Sequence, residues 1–141
     1  MTSRSIEDLA LEIAAKEAGR QEARRRAQDL LIRLHARART ALDRFGRAVR
    51  EAGAPHLDLV VLEPVEPDDK SVRAFQFSIH RGAFTALVVS RDKGEVMLVG
   101  PFKRGHAGEP CHALSLDRGE GALEEAIDDL MTALIEQSYA R

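Results

Sequence analysis

The chain has 141 residues, 44% of them hydrophobic, and a formal net charge of -2, which is enough apolar material for one core without disulfides or a structural metal. Its single cysteine excludes an intramolecular disulfide, and its apolar runs, such as 86–89 and 96–99, fall far below the roughly 20 residues of a membrane span. With no signal-peptide pattern at the start, these features predict a cytoplasmic protein with no membrane partner.

The charge is unevenly spread. Residues 1–52 hold 12 Lys and Arg against 8 Asp and Glu, and residues 53–141 hold 9 against 15. Arginines outnumber lysines 17 to 4 and asparagine is absent, a bias expected of GC-rich coding that lowers the weight of arginine counts alone.

Residues 6–52 contain no proline and are rich in Ala, Leu, Arg, Glu and Gln, all good helix formers. They predict one long basic helical segment over 1–52, or two helices in tandem with a break near Gly19, where "KEAGRQEARRRAQ" interrupts the apolar spacing. In the second half Ala27, Leu30, Leu34, Ala38, Ala41, Phe45, Ala48 and Ala52 recur in steps of three and four, widened by Leu31, Leu42 and Val49. This stripe must pack on something, either the chain's own sheet or a second chain. Gly53 and Pro55 stop the helix.

Residues 53–141 predict an antiparallel meander of four or five strands followed by an amphipathic helix. The strands are "LDLVVL" (57–62), "VRAFQFSIH" (72–80), "AFTALVVS" (83–90), "EVMLVGPF" (95–102) and "CHALSLD" (111–117), with glycine turns at "RG" and "RDKG". In the second strand Phe75, Phe77 and Ile79 alternate with Gln76, Ser78 and His80, the pattern of a sheet with one wet face. The third and fourth are apolar on both faces, so part of the other face is expected to be covered. Leu123, Ile127, Leu130 and Leu134 define the closing helix, with Asp117 and Glu120 placed as a capping box. The layout is α+β, a single compact domain with a helical extension.

Motifs for chemistry are sparse. His106, Glu109, Cys111 and His112 are metal-ligand types, but they lack C-x-x-C or H-x(3–5)-H spacing, and neighbours on a strand point to opposite faces. Cys111 beside His112 is poor geometry for an activated thiol, and "GPFKRGHA" lacks the Lys-Ser/Thr pair of a phosphate loop. The segment from Lys103 to His112 therefore reads first as a polar connection, with a small enzyme or ligand site, built on His106, Cys111 and His112, as the lesser alternative. Serines such as Ser78 lack a nucleophile-elbow context. No catalytic residue, cofactor or metal is predicted.

Two other functions follow from the long helix. The first is a non-enzymatic interaction module, a homodimer joined as a coiled coil through Leu30, Leu34, Leu42, Phe45 and Val49. The second is nucleic-acid or polyanion binding by Arg24, Arg25, Arg26, Arg33 and Arg37, although aromatic interleaving and a recognised nucleic-acid motif are missing.

Overall fold

The computed structural model describes residues 5–67, 75–90, 95–103, 111–115 and 119–140, with backbone alone for 111–115 and Glu120. A long helix α1 (Ile6–Glu51) leads, by way of a short 3-10 turn at Pro55–Leu57, into strands β1 (Val60–Leu62), β2 (Glu66–Pro67), β3 (Phe75–Arg81), β4 (Phe84–Ser90), β5 (Glu95–Lys103) and β6 (Cys111–Ser115). Helix α2 (Glu120–Tyr139) closes the chain. The sheet is antiparallel in the order β1-β3-β4-β5-β6, with the two-residue β2 also paired to β3.

Helix α1 runs unbroken for 46 residues, so of the two alternatives the single long helix holds and Gly19 does not break it. One glycine costs a helix about 1 kcal/mol, and strong helix formers on both sides outweigh that. Ser5 caps the start by accepting from the Asp8 amide, with Glu7 and Asp8 in the first turn, where the macrodipole favours acids. At the other end the Ala54 amide donates to the Val49 carbonyl and the Gly53 amide to Arg50. Gly53 has φ +79°, so the stop is a Schellman motif, as its position in the sequence predicts.

Both helices lie on one face of the sheet. Leu30, Leu31, Leu34 and Ala38 of α1 meet Leu123, Ile127, Met131 and Leu134 of α2 over Phe77, Ile79, Ala86, Val88, Val96 and Leu98 of the strands. Each large side chain buried here contributes about 1.5–3 kcal/mol. The long helix therefore does not cover the opposite face, where Leu87, Val89, Met97 and Val99 are half-buried beside Gln76, Ser78 and His80.

Strand edges differ modestly from expectation. The first strand begins at Val60 because Pro55–Leu57 forms a 3-10 turn. The register of β3 on β4 runs from Phe75↔Ser90 to Arg81↔Phe84, closed at Gly82 with φ +61°. The "RDKG" turn and the residues at 72–74 and 116–118 lie outside the described residues. Position 119, a glycine, is the N-cap of α2 and makes no side-chain cap bond. Asp117, expected there in a capping box, is itself outside the described residues. Among the described residues no helix is long and apolar enough to cross a membrane.

Candidate interaction surface

Helix α1 divides into two unlike halves. From Ala27 onward its apolar face is committed to the domain: Leu30 and Leu34 are each 2% exposed, and Leu42 packs partly buried against the same core. Phe45 and Val49 are half-buried. Two of the five residues expected to meet a second chain are thus sealed inside their own fold, and a partner cannot reach them without unfolding it.

The N-terminal half, Ile6–Arg26, projects from the domain. At about 1.5 Å per residue it is an arm about 30 Å long. Its large apolar side chains face solvent, with Ile6 76%, Leu11 71% and Ile13 57% exposed and Leu9 beside them. A soluble helix rarely spends four such residues in one segment without covering them. Charge along the arm is polarised: Glu7, Asp8 and Glu12 occupy its tip, and Arg20, Arg24, Arg25 and Arg26 its base.

The arginines are largely engaged. Arg24 donates to Glu17 and Arg25 to Glu22, and Arg33 also has an interaction. Arg37 grips Asp128 of α2 with two bonds, Nε to Oδ1 at 3.0 Å and Nη2 to Oδ2 at 2.7 Å, and approaches Glu124 at 3.5 Å. The hydrogen bond from Asp128 raises the Arg37 pKa above its ordinary value against a lowering by desolvation, with the charges of Asp128 and Glu124 adding to the rise. Of the five arginines predicted to hold a polyanion, Arg26 alone has no bond or ion pair among the described residues. Carboxylates on the same chain already occupy phosphate-like positions.

The remaining site expectation lies partly outside the described residues. His106 lies outside the described residues. Cys111 and His112 open β6, paired with Val99 and Leu98, and Lys103 is exposed at the end of β5. Among the described residues no group of three His, Cys, Asp or Glu side chains is placed to hold a metal.

A polar cluster that the sequence pattern did not flag sits on the open sheet face. Ser78 Oγ is 3.0 Å from His80 Nε2, and His80 Nδ1 is 3.0 Å from Thr85 Oγ1, with Glu63 Oε1 4.0 Å from Nε2. A serine triad needs the carboxylate on the imidazole nitrogen opposite the nucleophile. Here serine and carboxylate share Nε2 and a hydroxyl holds Nδ1, an arrangement among the described contacts that differs from a serine triad. The signal was available: a two-residue turn after Arg81 sets His80 opposite Thr85, and Ser78 is two residues back on the same face.

No protein-family model, no curated protein and no solved structure matches the chain.

Proposed function

We propose that this protein is a non-enzymatic interaction module that forms a homodimer through the projecting arm of α1. The observation that carries this reading is the exposure of Ile6, Leu9, Leu11 and Ile13 on a helix whose other half packs its apolar face on the core. Ile6, Leu9 and Ile13, spaced three and four apart, form one apolar strip along the arm that a second copy of the arm would cover.

The absolute mass in solution, by light scattering behind a sizing column, tests this reading. The expected result is twice the 15.6 kDa chain mass for the intact protein and the single-chain mass for Ile6→Asp/Ile13→Asp, with unchanged helix content. A monomeric intact protein overturns it. The polyanion alternative has less support, because Arg24, Arg25 and Arg37 are already paired with carboxylates.

A further inference from the structure

At the far end of α1 from the arm, a groove of about 450 Å³ opens between the helix and the edge of the sheet. Its helical wall is one face of α1, carrying Arg39, Asp43, Arg47 and Arg50, and its floor is Val60 and Leu62 of β1 with Leu42. Gly46 leaves room for the Arg50–Asp58 pair at one end of the groove, since a Cβ there would come 2.7 Å from Asp58 Oδ2 and 3.0 Å from Arg50 Nη1. Arg50 is committed to Asp58 at 2.6 Å. Arg39 and Arg47 have no ion-pair partner among the described residues; Asp43, one turn from each, lines the same groove without pairing to either. The groove is therefore short of negative charge.

The strand that floors it is a free edge. Strand β1 pairs with β3 alone, in the register Val60↔Arg81 to Leu62↔Ile79. The Glu63 amide donates to the Ser78 carbonyl at 2.9 Å, which fixes the alternation of the antiparallel ladder: Val61 bonds to β3, and the N–H and C=O groups of Val60 and Leu62 point away from it. No other bond engages these groups among the described residues. On the opposite face of the same edge, Leu59 and Val61 are 58% and 52% exposed. Strand β1 is only three residues long, but its unpaired backbone groups, its exposed apolar side chains and the lack of a lysine within it leave the edge accessible to another strand.

We propose that the β1 edge takes up an extended segment of a partner protein by strand addition, and that the segment alternates acidic and apolar residues. Strand addition obtains affinity from the main chain and specificity from alternate side chains. Here the alternate positions see opposite environments. Side chains on the helix side enter the groove beneath Arg39 and Arg47, where carboxylates complete the charge. Those on the other side lie against Leu59 and Val61, where apolar groups cover exposed surface. A second copy of this chain fits the edge poorly, since two-fold pairing of β1 would bring two arginine-lined walls together. This site is separate from the arm, so its outcome and that of the dimer are independent.

The probe is a fluorescein-labelled peptide, Glu-Val-Glu-Val-Glu-Val-Glu with blocked ends, titrated into the full chain by anisotropy and followed by amide shifts in the ¹⁵N-labelled protein. Saturable binding is expected, with the Val60 and Leu62 amides shifting, and with affinity falling by about tenfold or more in Arg39→Glu/Arg47→Glu. Both substitutions lie on the exposed side of α1, and a thermal melt confirms the fold; Arg39→Ala/Arg47→Ala gives the same direction of change if the reversal disturbs it. Absence of binding, equal binding of the peptide with lysine in place of glutamate, or shifts away from β1 and the groove overturns the proposal. Concentration-dependent shifts of Val60 and Leu62 without peptide assign the edge to a second copy and overturn it equally.

Discussion

Arg81, at the end of β3, donates from Nη1 to Ser138 Oγ in the last turn of α2 at 3.0 Å. The same guanidinium donates from Nη2 to the Leu57 carbonyl at 3.1 Å, so one side chain joins the sheet, the 3-10 turn and the closing helix. It is 5% exposed and has no carboxylate within ion-pair distance among the described residues. The negative end of the α2 dipole is what its charge meets.

Replacing Arg81 with Ala removes two bonds from a charged donor, each worth about 1.5–3 kcal/mol, and opens a cavity at the helix end. Urea unfolding is expected to show a loss of about 2 kcal/mol or more. Arg81→Met keeps much of the volume and removes the cost of a buried charge, so it should lose less. Equal losses in the two variants would mean that hydrogen bonding, not packing, is what Arg81 supplies.

The two halves of α1 should respond oppositely to truncation. Leu34→Ala empties a fully enclosed position and is expected to cost about 2–5 kcal/mol. Ile13→Ser, on the exposed arm, should change the stability of the domain by less than about 0.5 kcal/mol, measured at a concentration where the chain is monomeric. A large effect of Ile13→Ser in the monomer would show that the arm folds back onto the domain.

Two glycines with positive φ make a quantitative pair. Gly100 has φ +109°, and a Cβ there would sit 2.8 Å from the Thr85 carbonyl oxygen and 3.2 Å from Ala86 Cα, both backbone atoms of β4 beside the bulge at Thr85/Leu87. Gly53 has φ +79° with nothing within 4 Å. Gly53→Ala should therefore cost about 1–2 kcal/mol, the conformational penalty alone. Gly100→Ala should cost more by about 1–3 kcal/mol of overpacking. Melting both variants side by side checks the order, and a Gly100→Ala protein as stable as Gly53→Ala would contradict the packing described for the bulge.

The local features of this fold are legible in its sequence because each rests on neighbours in the chain. Phe77 and Ile79 alternate with Ser78 and His80, Leu123 to Leu134 repeat at helical spacing, and Gly53 with Pro55 ends the helix. What the stripe of Leu30 and Leu34 packs against is not local: periodicity says that a face is buried, and the second surface comes from residues 77–134. Gly100 and Arg81 were hidden for the same reason. One reads as a strand residue and the other as half of a turn, until register and helix placement bring Thr85 and Ser138 beside them. Ser78, His80 and Thr85 fall between these cases, since a short turn fixes their pairing.

A helix of 46 residues without a joint is also a measuring rod, about 69 Å long. Whatever grips Ile6 and Ile13 is held at a set distance and a set angular position relative to the sheet, both determined by the number of residues between them. Removing seven residues between Ile13 and Ala27 would draw a bound partner in by about 10 Å while turning it only about 20°. Removing four or five would swing it around the axis. The length of α1 thus encodes the relative orientation of whatever binds at its two ends.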